Sequence, residues 1–213
     1  MANNLRIKTS IKISSFLPTI GIIIFVGLYF YAASLYPGGS QADLNSVRFD
    51  WMHNYWCNLM NETAMNGLEN PSRPIAIAAM FVLCSSILLF FFQCATQLVT
   101  NKTWRLIIRA FGTLSMVSAS LIFTQFHDIM TILSSVIGIL VVIGIIWAVY
   151  KSNLTFFKIS GIVCILLMLL NNYIYYSLNG IEFLPFIQKI TFAAVLIWIV
   201  GLSLKLRMIN QIK

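Results

Sequence analysis

The segment IMTILSSVIGILVVIGIIWAVY, residues 129–150, contains no charged side chain. About 20 apolar residues in a helix cross a hydrocarbon core of about 30 Å, so this segment is long enough to span a membrane. Further apolar runs lie near residues 15–35, 75–97, 106–125, 159–178 and 187–206. In lipid, each run must satisfy its own backbone polar groups and should therefore be helical. The sequence predicts an all-α polytopic membrane protein, with residues 1–213 forming a single six-span bundle.

The composition agrees with lipid as the solvent. Of the 213 residues, 59% are apolar and 9% are charged, whereas a soluble domain carries about 25% charged residues. The net charge of +8 does not indicate nucleic acid, because the cations are scattered at the ends of the predicted spans. We expect membrane lipids as partners and no nucleic acid. A membrane protein partner or a homo-oligomer remains open.

Charged residues divide between the two sides of the predicted bundle. The carboxylates all lie in segments on one side, at Asp43, Asp50, Glu62, Glu69, Asp128 and Glu182. Every Lys and Arg except Arg48, Arg73 and Lys189 lies in the opposite segments. The positive-inside rule then makes both termini cytoplasmic, including Arg6, Lys8 and Lys12. The pattern predicts an integral protein, of the bacterial cytoplasmic membrane, with the loop 36–73 on the outer side.

This loop is far longer than the usual helix–helix connection of about 2–8 residues. It opens with the turn signal Tyr-Pro-Gly-Gly at residues 36–39. Within it, residues 49–62 place polar side chains at helical spacing on one side and aromatic and Met side chains on the other. The spacing predicts a short amphipathic helix. Its polar face either lies in water or forms one wall of a site, and the sequence leaves both orientations open.

The two histidines of the chain both fall on the predicted outer side, each beside an aspartate. A histidine oriented by a carboxylate is a common arrangement in general acid–base catalysis. Asp50, His53, His127 and Asp128 are therefore the candidate catalytic residues. Asp128 also has a purely structural interpretation, because a carboxylate at a helix N-terminus favours the positive end of the helix dipole.

Polar side chains on other segments are candidate substrate-binding residues: Asn54, Asn58, Arg73, Asn171 and Asn172. Arg73 suits either a lipid phosphate or an acidic loop residue. A buried amide in lipid needs a partner, so at least one of Asn171 and Asn172 should face the bundle interior. Hydrogen bonding between helices is the alternative explanation for both.

Metal binding is a weaker hypothesis. Asp50, His53, Cys57 and His127 are of the types that bind zinc. However, the sequence contains no compact ligand motif such as HExxH or CxxC. We therefore expect no cofactor and keep zinc as a minor alternative.

Several short motifs resemble a known group of proteins. These are Tyr36-Pro37-Gly38-Gly39, then Asn54, Tyr55 and Leu59, then Asn70-Pro71, and His127 at the start of the fourth span. Together they resemble the prokaryotic six-span membrane proteins of unknown function related to the Frag/DRAM/Sfk superfamily. Where that pattern carries a carboxylate, this chain has Asn58. The resemblance implies the six-span fold and, through eukaryotic relatives, an association with lipid remodelling or autophagy.

These observations give one leading function and two alternatives. The leading hypothesis is a protein that handles a lipid or lipid-linked headgroup at the outer leaflet. If it is an enzyme, the outer Asp and His residues would serve acyl or headgroup transfer or hydrolysis. The alternatives are a non-catalytic structural or regulatory membrane subunit and, with less support, a small transporter.

Overall fold

The computed structural model describes residues 16–212, and the side chains of residues 16–209. Arg6, Lys8, Lys12 and Lys213, which entered the orientation prediction, lie outside the described residues. The long helices are α1 (Leu17–Leu35), α2 (Arg73–Gln97), α3 (Lys102–Ser120), α4 (His127–Lys151), α5 (Thr155–Ser177) and α6 (Leu184–Ile212). Two short 3-10 helices, Trp56–Met60 and Ile181–Phe183, lie in connections. The all-α prediction is confirmed.

Among residues 16–212, five helices are long and apolar enough to cross a membrane, which supports an integral membrane protein. The remaining long helix is α3, whose first turns carry Lys102, Arg105 and Arg109. It also ends earlier than the predicted run 106–125. Beyond Ser120 the chain turns, and the Leu121 amide donates to the Ser118 carbonyl at 3.1 Å.

Consecutive helices pack side by side and run antiparallel. The pairings α1–α2, α2–α3, α3–α4, α4–α5 and α5–α6 all occur, and α6 returns to pack on α1 and α2. Between α3 and α4, the Ser115 hydroxyl donates to the Ser134 carbonyl at 2.8 Å. The loop between α1 and α2 therefore lies at the end of the bundle where α4 and α6 begin.

Polar side chains join the helices inside the bundle. Gln93 on α2 donates to the Ser203 carbonyl on α6 at 2.9 Å, and the Ser203 hydroxyl donates back to Gln93 Oε1 at 2.7 Å. Both side chains are buried. Such reciprocal pairing satisfies polar groups that would be costly in an apolar interior. It fixes the register of α6 against α2, and so helps to place the start of α6 under the α1–α2 loop.

The α1–α2 loop is not built as predicted: the single amphipathic helix over residues 49–62 is wrong. Residues 51–53 form a turn, and only Trp56–Met60 is helical, as a 3-10 helix. Oδ1 of Asp50 accepts the amides of Met52 (2.9 Å) and His53 (3.2 Å). Asp and Asn side chains compete in this way with helical hydrogen bonds. The polar spacing that resembled a helical face reflects these local turns.

Candidate functional site

The α1–α2 loop begins with the Gly-Gly turn that the sequence predicts. Gly38 and Gly39 have φ values of 138° and 80°, in the region that favours glycine. The Gly39 amide donates to the Ser46 carbonyl at 2.8 Å. A Cβ atom on Gly39 would collide with the backbone nitrogen of Asn66. The turn brings the start and the end of the loop into direct contact.

Asn54 ties this turn to the middle of the loop. Its side chain is fully buried, Nδ2 donates to the Gly39 carbonyl at 2.8 Å, and Oδ1 accepts the Asp50 amide at 2.8 Å. The oxygen and the nitrogen of the carboxamide thus both hydrogen-bond to backbone groups of the loop. Asn54 was a candidate substrate-binding residue, but the structure places it in the scaffold of the loop.

Asn58 and Asn70 hold the second half of the loop. Oδ1 of Asn58 accepts the Tyr55 amide at 2.6 Å. Nδ2 of Asn70 donates to the carbonyls of Leu59 (3.3 Å) and Asn61 (2.9 Å). Both asparagine side chains are buried. Asn58 therefore also belongs to the scaffold rather than to an open binding surface.

Asp50 and His53 form the one predicted Asp–His neighbourhood that lies within this loop. Nδ1 of His53 is 2.8 Å from Oδ2 of Asp50, and the two side chains are 40% and 28% exposed. Burial opposes ionisation of Asp50, but hydrogen bonds from the His53 ring and from the amides of Met52 and His53 outweigh it. The pKa of Asp50 therefore lies below its ordinary value. The pair presents an oriented imidazole that is partly exposed at the protein surface.

The second neighbourhood, His127 and Asp128, is a separate pair at the start of α4. Nδ1 of His127 is 3.1 Å from Oδ1 of Asp128, and the side chains are 46% and 96% exposed. No hydrogen bond or ion pair connects it with Asp50 or His53 among the residues described. Asp128 lies in the first turn of α4, where its negative charge interacts favourably with the positive end of the helix dipole. The structure does not bring the four candidate catalytic residues together.

The remaining candidate binding residues have individual partners. Arg73 forms an ion pair with Glu62 at 3.0 Å, so the acidic loop residue is its partner in the structure. Asn171 donates to Thr191 on α6 and therefore faces the neighbouring helix. Asn172 is exposed and donates to the Met168 carbonyl of its own helix at 2.8 Å. These contacts are structural in character.

The proposed zinc ligands are not assembled. Within residues 16–209, no group of three or more His, Cys, Asp or Glu side chains is placed to hold a metal ion. Cys57 lies in the 3-10 helix, where burial raises the pKa of its thiol. A helix over residues 49–62 would have put Asp50, His53 and Cys57 on one face, and the turn at residues 51–53 removes that arrangement.

Lys189 is a residue that sequence reasoning missed. It lies near the start of α6, and its ammonium donates to the carbonyls of Asn54 (2.5 Å) and Pro185 (2.9 Å). The ammonium also lies 5.6 Å from the ring centroid of Phe49 and 5.9 Å from that of Trp56. Lys189 thereby fastens the loop to α6. The available signal was a lone cation inside an apolar run, which is a functional or structural candidate by default.

An aromatic cluster connects the loop with α1. Trp56 packs edge-on against Tyr29 with ring centroids 4.8 Å apart, and Trp51 lies 5.1 Å from Phe30. Trp51 and its neighbour Met52 remain 41% and 45% exposed. Tryptophan rings that pack against apolar groups on one side and face water on the other are typical of the membrane–water interface. Asp50 and His53 are adjacent in the chain to this exposed apolar pair.

Comparisons with family models, with curated proteins and with solved structures find no match to this chain. The resemblance to the Frag/DRAM/Sfk superfamily therefore stays a prediction.

Proposed function

We propose that the chain crosses the membrane six times, with loop 36–73 outside and both termini cytoplasmic. Support comes from α3, which packs against both α2 and α4. Its cations gather at one end, where Arg105 donates to the Val99 carbonyl and Arg109 to the Thr96 hydroxyl, each at 2.9 Å. Long cationic side chains near a helix end can reach the interface while the rest of the helix stays in lipid.

Cysteine labelling tests this topology in a background lacking the native thiols. Leu44 is 58% exposed in the loop, and Asn153 is exposed between α4 and α5. In intact cells, an impermeant maleimide should label Leu44→Cys at once and Asn153→Cys only after permeabilisation. If α3 did not span, the two positions would lie on the same side and label together. Labelling of Asn153→Cys alone in intact cells would show that the orientation is the reverse of the one proposed.

In this frame, the loop handles a lipid or lipid-linked headgroup at the outer leaflet. The observation that carries this proposal is the accessible Asp50–His53 pair, 2.8 Å apart and next to exposed Trp51 and Met52. The carboxylate holds Nδ1, and no described residue hydrogen-bonds Nε2. An imidazole oriented in this way suits binding of a polar headgroup, and it suits a general base if the protein performs transfer or hydrolysis.

A second candidate is a non-catalytic structural or regulatory membrane subunit. It is favoured by the exposed apolar side chains of the loop, because Val47 is 82% exposed and Leu44 and Leu68 are each 58% exposed. Exposed apolar side chains grouped in one loop are typical of interaction surfaces. This candidate requires no chemistry at Asp50 or His53.

Matched variants separate the two candidates. His53→Gln removes the oriented imidazole, and His127→Gln makes the same change in the isolated pair at the start of α4. We expect His53→Gln alone to change the lipids that co-purify with the protein and the lipid profile of the host, measured by mass spectrometry. Unchanged lipids in both variants would refute the headgroup proposal. If a co-purifying protein were lost on Val47→Asp instead, the second candidate would be supported.

A further inference from the structure

A lateral groove lies at the end of the bundle opposite the α1–α2 loop, between α3, α4 and α5. Its volume is about 450 Å³, and its lining includes Trp104, Ile143, Ile146, Trp147 and Ile165. All of these side chains are apolar or aromatic. Small-molecule sites have volumes of about 300–1,000 Å³ and mainly apolar walls. The groove is therefore large enough for a ligand and suited to a hydrocarbon chain.

Two lysines stand over aromatic rings at one end of this groove. The Lys151 ammonium lies 4.9 Å from the ring centroid of Trp147, and the Lys158 ammonium lies 5.5 Å from that of Tyr150. Trp147 and Tyr150 both line the groove, and their rings stack with centroids 6.1 Å apart. The stacked rings hold both cations at the mouth of the apolar space.

No carboxylate of the described residues neutralises these cations. The ion pairs found among those residues involve Asp50, Glu62 and Asp128, and neither lysine takes part. Asp128 and Lys151 lie at opposite ends of α4, about 35 Å apart at about 1.5 Å per residue. The groove thus combines an apolar floor with an unneutralised positive rim.

We infer that this groove binds an anionic phospholipid, with an acyl chain along Trp104, Ile143 and Ile165 and the phosphate against Lys151 and Lys158. The charge of the rim complements an anionic headgroup, and the apolar lining complements the chain. A transmembrane helix of a partner, about 10–12 Å across with its side chains, would bring no matching negative charge in its apolar section. The site is distinct from the proposed headgroup site in the α1–α2 loop.

The test uses the full-length protein in nanodiscs of phosphatidylcholine containing a minor fraction of either brominated phosphatidylglycerol or brominated phosphatidylcholine. Bromine quenches tryptophan fluorescence at close range, so quenching reports lipid beside Trp104 and Trp147. The background carries Trp51→Phe, Trp56→Phe and Trp198→Phe, which leaves only the groove tryptophans. We expect phosphatidylglycerol to be preferred by about tenfold, since each lysine near an anionic headgroup contributes severalfold.

Two variants and one control locate the effect. Lys151→Gln with Lys158→Gln should reduce the preference to within about twofold. Ile143→Phe should narrow the groove without adding a tryptophan, and it should weaken competition by unlabelled phosphatidylglycerol. Lys102→Gln with Lys205→Gln removes the same charge from exposed lysines at the same end of the bundle, and it should leave the preference unchanged. Correct folding is checked by monodispersity in detergent.

Three results would overturn the inference. One is equal quenching by the two brominated lipids in the unmodified background. Another is an equal loss of preference in the control pair, which would mean that general surface charge is responsible. The third is a dimer, seen by mass photometry, that Ile143→Phe dissociates without changing lipid quenching, because a second copy of the chain would then occupy the groove.

Discussion

The carboxamide of Asn54 offers a sharp test of how the α1–α2 loop is held. Asn54 is fully buried, and it donates to the Gly39 carbonyl while accepting the Asp50 amide. Asn54→Asp keeps the size of the side chain and the acceptor for Asp50. It removes the donor, so a carboxylate oxygen faces the Gly39 carbonyl. The substitution therefore isolates one hydrogen bond between two parts of the loop.

The expected cost follows from that geometry. A buried carbonyl that loses its donor costs about 1–3 kcal/mol, and more when the new neighbour is charged. We expect the free energy of loop opening to fall by about 2–3 kcal/mol at pH 7, which corresponds to about 30- to 150-fold more frequent opening. Hydrogen exchange measured by mass spectrometry should show this acceleration at the amides of Gly39 and Asp50. The helices should retain their protection, because the one hydrogen bond that joins Asn54 to a described helix runs from Lys189 to its backbone carbonyl, which the substitution leaves in place.

The effect should also depend on pH in a defined direction. Burial beside a carbonyl raises the folded-state pKa of the introduced aspartate above its unfolded value of about 3.9. The penalty is therefore fully present at neutral pH and is relieved as the pH falls through the folded-state pKa. Once protonated, the aspartic acid can donate to the Gly39 carbonyl again. Exchange at Gly39 should then approach that of the unmodified protein, after correction for the intrinsic pH dependence of exchange.

Asn66→Asp is the matched control. Oδ1 of Asn66 accepts the Leu68 amide at 3.1 Å, and a carboxylate can accept it equally well. We expect a change in opening free energy below about 0.5 kcal/mol, as for ordinary surface substitutions. Equal acceleration in both variants would mean that added negative charge loosens the loop. No acceleration in Asn54→Asp would mean that the hydrogen bond to Gly39 does not hold the loop.

Three further predictions concern other parts of the molecule. Gly21→Ala places a methyl group against the Ser86 side chain and should destabilise the α1–α2 contact by about 1–3 kcal/mol. Adding Ser86→Ala to this variant should restore most of the lost thermal stability, measured in detergent. Burial raises the pKa of Cys57, so its alkylation should be slower than that of Met52→Cys and should accelerate with rising pH, because the thiolate reacts. The pKa of Asp50 is lowered in the folded loop, so the ionised carboxylate stabilises the loop above about pH 4, and this stabilisation is lost on further acidification. Hydrogen exchange of the loop should therefore accelerate at acidic pH, after correction for its intrinsic pH dependence, and Asp50→Asn should abolish that acceleration.

The helices were predictable because their signal is local and strong. A run such as 129–150 must be helical in lipid whatever surrounds it, and α4 extends it only to His127–Lys151. The bounds of α3 were less predictable. The helix begins at Lys102, in a charged first turn that precedes the apolar run, and the turn after Ser120 ends it before residue 125. Hydropathy reports the apolar core of a helix but not its polar first turns.

The loop was predictable only where its turns and contacts involve residues that are close in the sequence. The glycine turn at Gly38 and Gly39 followed from residue type, and the Asp50–His53 pair follows from a spacing of three residues. The contact between Lys189 and Asn54 joins positions 135 residues apart. No local pattern reports such a contact. The helical period over residues 49–62 was misleading because asparagine and aspartate at that spacing also form turns.

Folding requirements explain the asparagines of the loop more fully than they explain its partly exposed aspartate, Asp50. Asn54 and Asn70 must donate hydrogen bonds to backbone carbonyls, so a carboxylate cannot replace them at neutral pH. Asn58 accepts the Tyr55 amide through its side chain and donates to none of the described residues, so the fold needs only an acceptor at this position.

Asp50 differs from all three, because its two oxygens have separate roles. Oδ1 accepts the amides of Met52 and His53, and an asparagine could do the same. Oδ2 holds the imidazole of His53, a contact that the turn does not need. The turn therefore needs an acceptor oxygen at position 50, and the contact of Oδ2 with His53 is additional to the hydrogen bonds of the turn. That additional contact, made to an accessible imidazole, makes Asp50 and His53 the residues to test first for function.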